Sequence, residues 1–386
     1  MSRTPLSRAV MLLAIFVVGC SADTIQSLPV TATLVPAQEL PNFTDDLGLE
    51  GLSVAVQRQL AILRGEGDRE GLQIGRERYR TERLLVSLER FSRLLSDAKS
   101  CLKAGDAPDR CYDALGKRIR AQFLVYRLDS ALLTGYYTPT IEVSTQRTEK
   151  FRYPIYRPPV TDRERRLSRE AIDFDHKLDG KGYEIFYAAD RFDLYVLHIE
   201  GGAKVVVHDH GRRYTRYLLY SADNGQEFGH LDDFMVQHGM LRPTQRSRWD
   251  QRSYLKKHPD KVRRIFASCP GYVFFKVSDS PPTASTGALL TANRSLASDP
   301  AYYPVKGAIA YVVATIPEPP PKGTPPESNP KEIRYRTMER FFIDQDIGHF
   351  ITGPARADLF FGEGPYAEFL SNNFMTRGSI YLLVLK

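Results

Sequence analysis

The chain is poor in cysteine, with four in 386 residues, and carries one tryptophan and eight histidines. No cysteine pair has the C-x-x-C spacing of a redox or zinc site. His198, His208 and His210 lie near one another without metal-ligand spacing. A metal centre is therefore not expected, and no cofactor motif stands out. No apolar run reaches the roughly 20 residues that a membrane-crossing helix needs, and no internal repeat is visible. Basic residues exceed acidic ones by a net +7, yet they are scattered rather than laid along one helix. That distribution argues against a nucleic-acid partner. The mild excess suits an acidic polymer or an anionic surface.

What is present begins with a leader pattern. Arg3 and Arg8 precede the apolar run Ala9 to Val18, the make-up of a secretory signal peptide. Val17-Val18-Gly19-Cys20 then matches a lipobox, whose small residues admit a peptidase that cuts before a cysteine to be lipidated. Cys20 is the expected lipid-anchor residue, and Ser21 after it implies sorting to the outer membrane. Residues 21 to 45 hold Pro29, Pro36 and Pro41 and read as a tether. Cys101 and Cys111 flank a short loop between helical stretches, so a local disulfide is expected, with Cys269 left as a buried thiol.

From Leu52 to about Leu133 the pattern reads as helical. Leu84, Leu88, Phe91, Leu94 and Leu95 recur on one face, opposite arginine and glutamate. At Thr134 the pattern turns to strand, with TGYYTPTIEVS alternating β-branched and aromatic residues with turn formers. Residues 141 to 268 read as short strands and irregular loops, including two strands around Gly201-Gly202. The final third is strand-rich on both sides of the proline-rich segment 317–330, which cannot pair in a sheet.

The chemistry concentrates between Phe342 and Gly364. Asp346 and Asp358 stand there among aromatics and short apolar runs broken by glycines, a strand, tight loop and strand. Burial at the end of an apolar strand disfavours a charged carboxyl and raises its pKa, as an acid catalyst requires. Asp299 lies upstream, after Arg294-Ser295-Leu296-Ala297.

These blocks resemble the membrane-bound lytic murein transglycosylase A (MltA) family and its C-terminal three-aspartate (3D) domain. The family pattern is close to D-x-G-G/S-A-I-K-G followed by R-x-D-L/F-F/Y-x-G-x-G. This chain matches with Asp346, Gly348, Ile351, Gly353, Arg356, Asp358, Leu359, Phe360, Gly362 and Gly364. LLTGYYTPT from Leu132, Pro270-Gly271-Tyr272 and the terminal run Ile380 to Leu385 fit as well. The chain departs at Thr352, where the family carries lysine, at His349, where it carries a small residue, and at Glu200, where a neutral amide is usual.

The resemblance implies a mainly β fold with N-terminal helices: a double-psi β-barrel with a smaller inserted β domain and a groove between them. The expected division is a signal peptide at 1–19 and a tether at 20–45. A helical part with the first barrel segment follows at 46–140, the insert at 141–270 and the barrel-completing segment at 271–386. It implies cleavage of the β-1,4 bond between N-acetylmuramic acid and N-acetylglucosamine, leaving 1,6-anhydro ends. Asp358 would act as general acid and then base, supported by Asp346. Thr134, Tyr136, Tyr137, Thr138, Glu200, Gly201 and Asp299 would contact substrate. The implied partners are peptidoglycan glycan strands, the outer membrane through the lipid, and other cell-wall enzymes. Two rivals remain open: a catalytically weak or silent wall-binding lipoprotein, and an ordinary hydrolase using a second carboxylate.

Overall fold

A computed structural model describes residues 28–319, 333–348 and 351–386. The leader, Cys20, His349 and most of the proline-rich segment lie outside the described residues. After a short strand β1 (Thr33–Leu34) come α1 (Leu52–Leu63), a hairpin of β2 (Glu70–Ile74) and β3 (Glu77–Arg80), α2 (Thr81–Lys103) and α3 (Pro108–Gln122). The apolar stripe of α2 packs as its period predicts, with Leu84, Leu88, Phe91, Leu94 and Leu95 buried. Cys101 and Cys111 form a disulfide across the α2–α3 turn, and Cys269 is a buried free thiol.

Two expectations need correction here. The helical stretch does not run to Leu133: the hairpin interrupts it, and strand β4 (Phe123–Thr138) begins eleven residues before Thr134. Leu124, Leu128, Leu132 and Leu133 carry no period that separates helix from strand. Pairing with the C-terminal strand, Phe123 opposite Leu385 and Val125 opposite Leu383, makes the choice.

The chain then enters a second sheet. Its strands are β5 (Thr140–Ser144), β6 (Tyr153–Tyr156), β7 (Glu184–Ala188), β8 (Gly202–Asp209), β9 (Arg212–Asp223) and β10 (Val273–Ser278), in the order β10-β9-β8-β5-β7-β6. Between them lie α4 (Asp162–Arg165), α5 (Arg169–Asp173), α6 (Arg191–Glu200), α7 (Leu231–Gln237), α8 (Arg248–Lys257) and α9 (Val262–Ala267). The first of the two strands expected around Gly201-Gly202 is therefore the helix α6. Its stop and start signals were in the sequence. Asp190 caps the first turn by accepting from the amides of Phe192 and Asp193, and Gly201 ends it at φ +70°.

The remaining elements return to the first sheet: β11 (Ser295–Ser298), β12 (Ile309–Pro317), β13 (Tyr335–Ile347), β14 (Arg356–Glu363), α10 (Pro365–Asn373) and β15 (Met375–Leu385). Their order, β4-β14-β11-β13-β12-β15, closes on itself because β15 also pairs with β4. The result is a six-stranded double-psi β-barrel, mainly β with helices packed outside. Closure leaves these strands without free edges. Asp45, before α1, clamps the N-terminal segment to the barrel by accepting two bonds from Arg294, at 2.6 and 2.8 Å, with both side chains wholly buried.

Candidate active site

Strand register assembles the site. Asp358 on β14 lies opposite Thr134 on the parallel β4. Ala297 on β11 lies opposite Asp358 on one side and Asp346 of β13 on the other. Residues opposite one another share a sheet face, so Thr134, Asp358, Ala297 and Asp346 form one row across four adjacent strands. Alanine between the two acids leaves room above the row. Gly135, the glycine of the TGYY motif, lets the strands approach this closely: a Cβ there would sit 2.1 Å from the Phe361 ring.

The two acids are held in different ways. Asp346 accepts from three donors, the Tyr136 hydroxyl at 3.0 Å and the backbone amides of Ser285 and Ile347 at 2.8 and 2.9 Å. Among the described residues Asp358 accepts one bond, from the Thr134 hydroxyl at 2.7 Å onto Oδ1. Arg356, two residues earlier on the same strand, donates to that same Thr134 oxygen at 2.8 Å. Burial pushes the Asp358 carboxyl up to about 6; the Thr134 bond and the Arg356 charge pull the other way, while Glu200 and Asp346 add to the rise. Burial, with the charges of both acids, holds the Tyr136 phenol well above its ordinary range, so it stays a donor.

A cleft of about 810 Å³ opens over the row, at the large end of ligand-pocket sizes. Tyr136, Tyr137, Thr138, Asp346 and Asp358 line it from the barrel, and Glu200, Gly201 and Tyr220 from the second sheet. Of the residues expected to meet substrate, Thr134 and Asp299 do not line the cleft. Thr134 stands beside Asp358 in the row. Asp299 fixes loops, accepting from the amides of Ala301 at 2.9 Å and Gly353 at 2.7 Å. Glu200 faces the cleft but is already engaged: Arg248 of α8 donates to it at 2.5 Å and to the Tyr137 hydroxyl at 3.2 Å. Thr352 is exposed, outside the cleft lining.

Sequence reading missed three participants. Arg356 was legible as part of a motif, and its two-residue offset from Asp358 places both on one strand face; its grip on Thr134 was not. Arg248 lies in the basic run LRPTQRSRWD, which reads as a groove rim or a capped helix start; the Ser247 cap of α8 was legible there, but the reach of Arg248 to Glu200 was not. Asp344 is buried beside the row, bonded by Ser298 at 2.8 Å with Lys306 at 3.6 Å. Burial lifts it to about 6 despite the lysine. Asp344 also lines a small cavity of about 20 Å³ together with Arg356 and Ala357. Among the described residues, the one cluster with metal-ligand proximity is the disulfide pair with Asp106, whose sulfurs are spent on each other.

A closed double-psi barrel carrying a carboxylate row, with a second sheet inserted and walling the cleft, defines a class of two-sheet proteins with an acidic cleft. Comparison with known proteins makes the class specific. The MltA specific insert domain matches residues 132–276 and the 3D domain matches residues 294–384. The membrane-bound lytic murein transglycosylase A of Vibrio cholerae is 25% identical over 259 residues, covering 67% of this chain and 66% of that protein. The Escherichia coli protein of the same name is 25% identical over 252 residues, covering 65% and 64%. The matched stretch thus spans just under two thirds of these relatives' lengths. Among solved structures, a membrane-bound lytic murein transglycosylase from Agrobacterium tumefaciens superposes with a TM-score of 0.68 at 24% identity, covering 92% of this chain and 98% of that one. Escherichia coli MltA with bound chitohexaose gives 0.67 at 20% identity, covering 93% and 95%. The chain belongs to the MltA family, with its 3D domain.

Proposed function

We propose that this protein is a peptidoglycan lytic transglycosylase that cleaves the bond between N-acetylmuramic acid and N-acetylglucosamine and leaves a 1,6-anhydro end. The observation that carries the reading is Asp358: a carboxyl lifted to about 6 that lines a cleft of about 810 Å³ shared by the barrel and the second sheet. The relatives' names and the chitohexaose bound by one structural neighbour support the substrate class.

In this reading Asp358 protonates the departing O4 as the C1–O4 bond breaks. The ionised carboxyl then accepts the proton of the C6 hydroxyl of the same sugar as O6 bonds to C1. One carboxyl serves both steps, and the internal hydroxyl gains the advantage of an intramolecular reaction. Asp346, fixed by three donors, supplies negative charge towards the oxocarbenium-like state. Tyr136, Tyr137 and Tyr220 offer flat faces with hydroxyl rims for the sugars. The engagement of Asp346 by Tyr136, Ser285 and Ile347 disfavours its use as the water-activating base of a hydrolase.

The N-terminal pattern and the membrane-bound relatives support a lipid anchor at Cys20 facing the periplasm from the outer membrane. Among the described residues no helix is long and apolar enough to cross a membrane. The test is mass analysis of sugars released from purified peptidoglycan by the full chain in detergent, beside Asp358→Asn. Anhydro-ended muropeptides from the parent alone are the expected result. Reducing-end products would transfer the reading to hydrolysis. Absence of products with retained wall binding would favour a silent binding protein.

A further inference from the structure

The proposed chemistry leaves open which oxygen of Asp358 handles the proton. A hydroxyl has one hydrogen to give and two lone pairs, whereas a guanidinium only donates. Arg356 Nη2 lies 2.8 Å from Thr134 Oγ1, so that contact uses a Thr134 lone pair. The arginine is itself fixed, because Nη1 donates to the Ala357 carbonyl at 2.7 Å. The single Thr134 hydrogen is then directed along the remaining short contact, 2.7 Å to Asp358 Oδ1. Oδ1 is a permanent acceptor. The hydroxyl oxygen of a carboxylic acid accepts poorly, so the acid proton is driven to the other oxygen. No bond to Oδ2 is made by any of the described residues.

From this geometry, and resting on the function proposed above, we infer that Oδ2 of Asp358 both delivers and recovers the proton, and that Thr134 and Arg356 are the positioning pair that fixes the choice. In the first step the Oδ2–H bond breaks, the proton goes to O4, and the C1–O4 electron pair leaves with O4. In the second, the O6–H bond breaks, its proton goes to Oδ2, and the O6 electron pair forms the bond to C1. The carboxyl ends as it began, and no oxidant or water is consumed. Between the steps the carboxylate charge rests on a carboxyl whose other oxygen already receives the threonine hydrogen, backed by arginine. The pair therefore favours the ionised intermediate over the acid that starts the cycle. It sets the balance of two roles that one carboxyl must play.

The charged and titratable groups that face Asp358 come from each neighbouring element: Arg356 on its own strand, Tyr136 on β4, Asp346 on β13 and Glu200 at the end of α6. Thr134 carries no charge, so its removal changes none. Thr134→Val, nearly isosteric, withdraws the donor. The expected outcome is a rise in the alkaline limb of the kcat/KM profile by about one pH unit, the size of one lost bond to a charged acceptor. The rate below that limb should fall about 10-fold or more, because the carboxyl loses its fixed orientation. Thr134→Ser should return the limb towards the wild-type position. Arg356→Gln, which drops the charge, should also move it upward.

The measurement is muropeptide release by the full chain in detergent between pH 4 and 8, for wild type and the three variants. Alongside it runs a ¹³C titration of aspartate-labelled protein, in which Asp358→Asn identifies the Asp358 carboxyl. An Asp358 titration and limb that stay at the wild-type position in Thr134→Val, or that move equally in Thr134→Ser, would overturn the inference. So would an unmoved limb in Arg356→Gln, which decides the matter should Thr134→Val fail to fold. Failure of the underlying reading looks different: Asp358→Asn would keep its activity. If Asp358→Asn is inactive while Thr134→Val titrates as wild type, the positioning pair alone is wrong.

Discussion

The two sheets contribute to one cleft by opposite means. In the barrel, the candidate reactive groups stand on paired strands of a closed sheet, and register alone sets Thr134, Asp358 and Asp346 in line. In the second sheet, the groups facing them come from the end of a helix and from a strand: Glu200 closes α6, Arg248 opens α8, and Tyr220 lies on β9 at 49% exposure. Strand rows resist displacement because moving one residue means moving its ladder. Helix α6 is tied to α8 through side-chain ion pairs, Arg248 with Glu200 and Arg252 with Asp190 and Asp193, which form no such ladder. Under the proposed function, the arrangement would place the chemistry where geometry is hardest to change, and the outer sugar contacts where change costs less.

The largest expected effect breaks the barrel side. Asp358→Asn keeps the shape and the Thr134 contact but cannot give up a proton. Turnover should fall about 10²–10⁴-fold in muropeptide release, with an unchanged circular dichroism spectrum. Next is the clamp that holds the N-terminal segment to the barrel. Asp45→Asn leaves Arg294 buried and unpaired, and unfolding by denaturant should show a loss of about 3–5 kcal/mol. The equivalent change on the other side, Glu200→Gln opposite Arg248, leaves a cation that is 22% exposed and still bonded to Tyr137, and should cost less, about 1–3 kcal/mol. Equal losses at the two places would remove the contrast between rigid barrel and adaptable wall.

Protonation gives finer tests. In the proposed reaction Asp358 starts as an acid, and burial lifts it to about 6, so activity should be highest below that pH and fall about tenfold per unit above it. Glu200→Gln removes a negative neighbour that favours the protonated form and leaves Arg248 unneutralised. Both changes lower the pKa, so the alkaline limb should move down by a few tenths of a unit.

Stability follows the same groups with a definite sign. Asp358 and Asp344 are both raised from 3.8 to about 6, so the folded state binds more protons than the unfolded one between about pH 4 and 6. Stability contributed by these groups is greatest below about 4 and is lost as pH rises through about 6. Asp358→Asn should therefore raise the melting temperature at pH 7 and leave it unchanged near pH 4. The expected gain is on the order of 1 kcal/mol, because one edge of the carboxyl opens to the cleft.

Several features were legible because they are local. The α2 stripe follows from period, the disulfide from a short loop between helices, and the candidate acids from an apolar strand broken by glycines. The helix α6 was also legible and was misread: Asp190 and Gly201 mark its two ends, but the valines and leucines of the segment fit a strand equally well. The start of β4 was not legible. Its leucines fit either structure, and the partner that settles the matter, β15, ends the chain.

What the sequence determined by itself was therefore the inventory: which residues could be acids, where the backbone must turn, which faces are apolar and which family pattern they compose. Tertiary structure decided how that inventory is shared out. It placed Asp299 on loop amides rather than in the cleft, spent Glu200 on Arg248, buried Asp344 beside Lys306 and set Thr134 beside the acid. The physical reason is range. Propensity, capping and turn chemistry act over a few residues, whereas hydrogen-bond partners and burial are fixed by strands that meet across more than 200 positions, as Thr134 and Asp358 do.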